Sequence, residues 1–272
     1  FGLSGYTTLA ELQAANISNN GGTLWIHSTL DLGGGTLDVA PTGLTSNVVL
    51  NYGATLANGT VRLDGGNFGF VSRPWWSWYG PDYDTNLSAI TWQGLLALPY
   101  NTGLNIWNGL TVQAADGSSP GFIDLTAGND SLYIRDSETL DNATLDFGSN
   151  GNDSLENYDP YDSGARILTL GSGFTLTVEG GTDYLRNYQA DDTIVSQGTI
   201  AVTGGQLLVQ NGSFDNAGTI SVSNGVLGLT DTSTTNSGLI SILTGGLAVL
   251  GVGASNMGSI AVTSGGGAGG GE

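Results

Sequence analysis

The chain has 272 residues and a strongly acidic composition, with 24 Asp and Glu residues against five arginines and no lysine, for a net charge of −19. This balance excludes nucleic acid and anionic membranes as partners, because both require a basic surface. The absence of cysteine excludes a disulfide framework and thiolate metal sites. No apolar run is long enough for direct membrane insertion, and a lysine-free surface rich in Asn, Thr, Ser and Gly favours an extracellular protein.

Residues 1–21 are predicted to form an N-terminal cap. The sequence Thr8-Leu-Ala-Glu11 fits a capping box, and Leu9 and Leu12 give a short helix one apolar side. Placed just before the first coil, this helix would cover the open end of the strands that follow. An uncovered end exposes backbone donors and apolar side chains, which promotes aggregation.

Residues 22–264 are predicted to form stacked coils of short strands. Segments such as 23–26 and 36–39 alternate apolar with small or polar residues and are separated by glycine turns. Glycine is expected at the tight corners because a positive φ costs it little. Each such strand has one buried face, which a single thin coil cannot cover by itself.

At residues 72–88 this alternation fails, which predicts a long aromatic loop that protrudes from the coils. Its candidate ligand or interface residues are Trp75, Trp76, Trp78, Tyr79, Asp82 and Tyr83. One interpretation is that the aromatic side chains pack on the coil or fill a subunit contact, where such residues are common. The other is that flat rings stack on sugars while Asp82 or Asp84 binds hydroxyl groups.

The sequence Gly-Asn-Asp-Ser-Leu occurs twice, at 128–132 and at 151–155. It resembles a fragment of the calcium-binding repeats in which stacked turns close around the ion. Asp130 and Asp153 are therefore candidate calcium ligands, and calcium is the one cofactor that the sequence suggests. The alternative is a polar turn with no metal. Residues 182–192 are predicted as a polar insertion.

The most regular stretch is a repeat of 20 residues that runs from Gly198 to Ser264. Two inner columns are expected from it: isoleucines Ile200, Ile220, Ile240 and Ile260, and leucines Leu207, Leu227 and Leu247. The asparagines Asn216, Asn236 and Asn256 recur at one turn position and are expected to stack as a ladder. Because such coils must stack to bury their apolar faces, the repeat predicts a right-handed parallel β-helix. Residues 265–272 are read as a glycine-rich tail or linker, with a contact to another subunit as the alternative.

Signatures of enzymes are mostly missing. The only histidine, His27, has no neighbouring glycines. Asp191-Asp192 matches only one of the motifs that polygalacturonase-like hydrolases combine. The sequence therefore predicts a protein without catalytic activity. The alternative is a glycosidase that works with carboxylates alone, for which the candidate residues are Asp159, Asp162, Asp183 and Asp191.

The repeat unit from Asn216 to Leu229 resembles the coils of autotransporter passengers and filamentous-haemagglutinin-like adhesins, which are large bacterial surface proteins. The resemblance covers about residues 164–264 well and the earlier coils loosely. It implies export to the bacterial exterior and a role in adhesion, aggregation or an extracellular layer. The N-terminal Leu12-Gln-Ala-Ala15 is similar to the start of pectate-lyase-like β-helices.

Two functions are consistent with these observations. The first is an adhesin or a self-assembling structural subunit of a filament or surface layer, whose partner is another copy of the chain or a host or cell-surface glycan or protein. Head-to-tail contacts that do not close would build an open fibre. The second is a polysaccharide-binding or polysaccharide-degrading β-helix that uses the aromatic loop.

Overall fold

The computed structural model describes residues 1–15, 20–74, 81–160, 164–263 and 265–270, without the side chains of residues 231 and 232. It confirms the predicted fold class, since parallel sheets form a β-solenoid of about 11 turns with one short helix. Among the described residues, no helix has both the length and the apolar character needed to cross a membrane.

The strands, numbered in chain order, form three parallel sheets. The first sheet contains β1 (Gly2–Leu3), β3 (Thr23–Ile26), β6 (Asn47–Leu50) and β8 (Asn67–Phe70). The second contains β10 (Leu95–Ala97), β12 (Gly121–Asp124), β15 (Ala143–Asp146), β18 (Thr175–Val178), β21 (Thr199–Val202), β23 (Thr219–Val222), β25 (Leu239–Ile242) and β28 (Ser259–Val262).

All remaining strands belong to the third sheet. They are β2 (Thr7–Thr8), β4 (Thr29–Asp31), β5 (Thr36–Val39), β7 (Thr55–Leu63), β9 (Thr85–Gln93), β11 (Gly103–Gln113), β13 (Ser131–Ile134), β14 (Glu138–Leu140), β16 (Ser154–Asn157), β17 (Ile167–Leu170), β19 (Thr182–Asn187), β20 (Thr193–Ser196), β22 (Gln206–Asn216), β24 (Val226–Asn236), β26 (Leu247–Leu250), β27 (Ser255–Asn256) and β29 (Gly267–Gly270). A long strand such as β7 pairs with β4 through one half and with β5 through the other.

The isoleucine column runs along the second sheet. Ile200 pairs with Ile220, and the column continues through Ile240 to Ile260. The first three side chains are buried and Ile260 is partly buried. Leu176 extends the column toward the N-terminus. Stacked identical side chains therefore form the core, as expected for a solenoid whose coils bury one another.

The leucine column ends earlier than the repeat predicts. Leu207 pairs with Leu227, but Leu227 pairs with Ala248 and not with Leu247. The turn before β26 is one residue longer than the turn before β24, and a shift of one residue moves a side chain to the opposite face. Leu247 therefore points outward with 38% of its surface exposed, while Ala248 is buried.

The structure places the asparagine ladder at the end of β22, β24 and β27. Asn216 Nδ2 donates to Asn236 Oδ1 at 2.7 Å, and Asn236 Nδ2 donates to Asn256 Oδ1 at 2.6 Å. Asn157 and Asn187 make a similar contact of 3.4 Å in earlier coils. These bonds give the side-chain NH₂ groups of the buried Asn216 and Asn236 an acceptor, and an unpaired donor there would be costly.

Two different requirements place glycine in the turns. Gly205 and Gly245 have φ of +61° and +77°, as expected for corner glycines. Gly218 and Gly238 do not, but a Cβ on either would overlap the carbonyl oxygen of the glycine one coil earlier. The glycine before each isoleucine is therefore required because neighbouring backbones approach closely, and the prediction of positive φ was wrong there.

The N-terminal region contains the predicted helix. Helix α1 (Leu9–Ala14) begins with a complete capping box between Thr8 and Glu11, and Leu9 and Leu12 pack into the core. The predicted cap, residues 1–21, is continuous with the solenoid, because β1 pairs with β3 and β2 with β4. These short strands already start the solenoid before residue 22.

Two other segments differ from their predicted structure. Residues 182–192 are not an insertion, since β19 (Thr182–Asn187) lies between β16 and β22 in the third sheet. Its inward residues include Asp183 and Asn187, and this polarity concealed the alternation. In the predicted tail, β29 (Gly267–Gly270) pairs with β26, because backbone hydrogen bonds alone can extend a parallel sheet.

Candidate functional site

The candidate site is an outward surface of the third sheet, carried by strands β13, β16 and β19. We call it the aromatic–arginine surface and define it by Tyr133, Arg135, Glu156, Tyr158, Tyr184, Arg186 and Tyr188. Tyr133, Glu156 and Arg186 are paired in register across the three strands. Inward-facing Leu132, Leu155 and Leu185 alternate with them and hold the strands on the core.

A column of tyrosines runs down this surface. The ring centroids of Tyr133 and Tyr158 are 5.2 Å apart, and those of Tyr158 and Tyr188 are 4.5 Å apart in an edge-to-face contact. Burial, and then the nearby carboxylate of Asp82, raise the pKa of Tyr158 to about 12. Tyr188 ends the column with 45% of its surface exposed, so its ring is accessible to a ligand.

Arg135 is the buried centre of the site, with 1% of its side chain exposed. Its Nη2 donates to Asp82 Oδ1 at 2.9 Å and its Nε to Asn105 Oδ1 at 2.7 Å. The guanidinium also lies 4.7 Å from the ring centroid of Tyr158 and 5.4 Å from that of Trp107. A single cation therefore joins the tyrosine column to the residues that precede β9.

The segments just before and just after the aromatic loop form hydrogen bonds with residues of the same region. After β8 the chain passes through Arg73, whose guanidinium binds the Asp84 carboxylate with two hydrogen bonds and the Tyr133 hydroxyl at 2.9 Å. A short 3₁₀ helix, Pro81–Tyr83, then leads into β9, and the Pro81 carbonyl accepts a bond of 2.7 Å from Asn105 Nδ2. Both ends of the loop are thus held by side chains of β11 and β13.

A second polar cluster lies beside Tyr188. Arg186 donates to Glu156 at 3.2 Å and to Gln210 at 3.0 Å, and its guanidinium stacks 3.8 Å from the ring centroid of Tyr184. Glu156 also accepts a bond of 2.8 Å from Ser154 Oγ. Arg186 is about one-third exposed. The cluster presents planar donors and acceptors next to an accessible aromatic ring.

The structure brings one of the predicted loop residues, Asp82, to this site. Asp82 forms the ion pair with Arg135, and Tyr83 is 55% exposed. Four further residues lie outside the described part of the chain: Trp75, Trp76, Trp78 and Tyr79.

The predicted calcium ligands lie elsewhere. Asp130 and Asp153 are fully buried inside the coils, and each accepts a backbone hydrogen bond from the preceding coil. Within the described ranges, no group of three or more His, Cys, Asp or Glu residues is placed to hold a metal ion. Calcium binding there stays a prediction.

Of the carboxylates suggested for a glycosidase, Asp159 and Asp183 do not form a pair of reacting groups. Asp159 forms an ion pair with Arg166, and Asp183 is buried and hydrogen-bonded to the amide of Asp153. Asp191 is exposed, and Asp162 lies outside the described residues. An acid and a base on opposite sides of a glycosidic bond require two accessible carboxyl groups at a fixed separation, which Asp159 and Asp183 do not provide.

Sequence reasoning missed Arg135, Tyr158, Arg186 and Tyr188, although a signal was present. Gly181-Thr-Asp-Tyr-Leu185 is a third, degenerate copy of the repeated pentapeptide. Counting seven residues from the first glycine of each copy reaches Arg135, Tyr158 and Tyr188 in turn, and the structure brings these three side chains into contact, Arg135 with Tyr158 and Tyr158 with Tyr188. Reading residues 182–192 as an insertion concealed this alignment.

Comparison with protein-family models, curated proteins and solved structures finds no match to this chain.

Proposed function

We propose that this chain is an extracellular, non-enzymatic adhesin that binds polysaccharide on the aromatic–arginine surface. The observation that carries the proposal is the tyrosine column ending in the exposed ring of Tyr188, with the Glu156–Arg186 pair beside it. Sugar rings present flat apolar faces edged by hydroxyl groups. An accessible aromatic ring matches the face, and planar carboxylate and guanidinium groups match the hydroxyls.

Charge favours a neutral polysaccharide over an acidic one. All five arginines of the chain take part in ion pairs, with Asp38, Asp82, Asp84, Asp159 and Glu156 as partners. The chain as a whole carries a net charge of −19, which repels polyanions. A neutral glycan requires no unpaired cation, and it gains from stacking and hydrogen bonds alone.

The test is binding of wild type and Tyr188→Ala to an array of neutral and acidic glycans, followed by calorimetry with the best ligand. Loss of ring stacking of about 1.4 kcal/mol weakens binding about tenfold. Trp25→Ala is the matched control, because Trp25 is an exposed aromatic residue on the first sheet. The proposal fails if wild type binds no neutral glycan, or if both variants bind as tightly as wild type.

Self-association is the second candidate, and the described C-terminal coils favour it. Val252 and Met257 are 79% and 75% exposed, and Val262 is about half exposed. Burying such side chains in a contact between copies would be favourable. Electron microscopy with and without calcium is expected to show filaments or sheets that Met257→Ser disrupts. Dispersed short rods at high protein concentration would count against this candidate.

A further inference from the structure

The aromatic–arginine surface is covered at its N-terminal end and open at its C-terminal end. One outward-facing column of the third sheet shows this difference, and its residues pair in register: Asn105, Tyr133, Glu156, Arg186 and Gln210. Asn105 and Tyr133 are 1% and 6% exposed, whereas the side chains of Glu156 and Arg186 are 13% and 34% exposed. Exposure therefore rises along the solenoid axis from β11 to β19.

Two short pieces of chain, Arg73 and Pro81–Asp84, form the cover on β11 and β13. Asn105 Nδ2 donates to the Pro81 carbonyl at 2.7 Å, and Arg73 Nη2 donates to the Tyr133 hydroxyl at 2.9 Å. The alternate residues of both strands pack on the core from the other side, so residues 103–106 and 131–134 are buried on both faces. The burial of the outward side chains there comes from this outer layer.

The outer layer ends beside β16, and we call the boundary between Asp82 and Tyr158 the step. The Asp82 side chain is 29% exposed, and its Oδ1 accepts a hydrogen bond of 2.9 Å from Arg135 Nη2. The same guanidinium lies 4.7 Å from the ring centroid of Tyr158, which is half-buried. An accessible carboxylate and the first ring of the open surface therefore meet at one corner.

Two rows of side chains run from the step along the solenoid axis. The aromatic row leads from Tyr158 to Tyr188. In the polar row, Arg186 donates to Glu156 at 3.2 Å on one side and to Gln210 at 3.0 Å on the other. Neighbouring coils are about 4.8 Å apart, which is close to the length of one sugar in an extended polysaccharide. A chain along the axis therefore places successive sugars over successive coils, between the two rows.

We propose that the step selects the end of a neutral polysaccharide: the terminal sugar contacts the Asp82 carboxylate, and the following sugars lie along the two rows toward β22. This inference rests on the proposed function, because it concerns the same surface and the same class of ligand. An internal sugar is bonded to neighbours on both sides, and the step blocks one of these directions. A terminal sugar has free hydroxyl groups in place of that bond, and a carboxylate accepts hydrogen bonds from two of them.

The test measures how many proteins bind to each glycan chain. Linear cello-, malto-, xylo- and manno-oligosaccharides of two to six sugars, and soluble linear polysaccharides of the same sugars, are titrated into the full chain by calorimetry. We expect one bound protein per glycan chain, whatever its length. A number of bound proteins that grows with chain length would overturn the proposal and leave the proposed function standing. Absence of binding to every neutral glycan would overturn both.

The same oligosaccharides, reduced with borohydride, identify which end is bound. Reduction opens the sugar at the reducing end and leaves the other sugars intact. Together with one protein per chain, unchanged affinity assigns the non-reducing end to the step, and lost affinity assigns the reducing end.

Asp82→Asn tests the carboxylate at the step, because the amide keeps an oxygen for Arg135 but loses the charge. Hydrogen bonds to charged groups are strong, so oligosaccharide binding should weaken about tenfold or more. Asp38→Asn is the matched control, since Asp38 is 33% exposed and pairs with Arg62. Gln210→Ala should weaken binding of the hexasaccharide more than that of the disaccharide, because only the longer chain reaches β22. Wild-type affinity of Asp82→Asn, or equal losses for both glycans in Gln210→Ala, would contradict the proposal.

Discussion

Replacement of Arg135 by leucine tests whether one buried cation holds the loop region on the third sheet. The substitution removes the hydrogen bonds to Asp82 and Asn105 and the contacts with the rings of Trp107 and Tyr158. Asn105 is fully buried, so its Oδ1 would lose a donor at a cost of about 1–3 kcal/mol. Each cation–π contact adds about 0.5–2 kcal/mol.

Asp82 offsets part of this cost, because it is 29% exposed and its carboxylate can be hydrated. The leucine side chain also buries apolar surface, which offsets a further part of the lost stability. We therefore expect Arg135→Leu to lower the free energy of unfolding by about 3–5 kcal/mol, as for other broken buried pairs. The matched control is Arg62→Leu, since the Arg62–Asp38 pair is 45% and 33% exposed and should contribute little.

The assay is urea unfolding of both variants, combined with hydrogen exchange of the amides in β11 and β13. Exchange is needed because a long solenoid can unfold in parts. Arg135→Leu should increase exchange selectively in these two strands, while Arg62→Leu should leave them protected. Equal effects of the two substitutions, or a loss below about 1 kcal/mol for Arg135→Leu, would refute the assigned role of the buried cation.

Further predictions concern the regular coils, and unfolding with urea measures each of them. Asn236→Ala breaks both ladder bonds and should cost about 2–4 kcal/mol, whereas Asn256→Ala breaks one at an exposed site and should cost less. Gly218→Ala should prevent close stacking of two coils and greatly reduce stability, while Gly22→Ala, with open space around its Cβ, should be neutral. Ile220→Ala should cost about 2–5 kcal/mol through the cavity it leaves; a loss below 1 kcal/mol would contradict the ladder packing.

The class of fold could be predicted because the chain repeats its pattern at a constant interval. Ile200, Ile220, Ile240 and Ile260 are equally spaced, so their stacking follows from strand alternation and the need of each coil for a neighbour. The capping box of α1 could also be predicted, because it depends on residues within one turn. Leu247 was placed wrongly because one additional turn residue reverses the direction of the side chains at the start of β26.

The sequence by itself therefore determined the β-solenoid, its isoleucine core and its first helix, since local alternation and equal spacing carry that information. Only the tertiary structure assembled the candidate site. Asp130 and Asp153 are 23 residues apart, but Asp153 and Asp183 are 30 apart, so spacing alone does not align their coils. Hydrogen bonds between neighbouring coils decide that register, and the same register brings Arg135, Tyr158 and Tyr188 into one column.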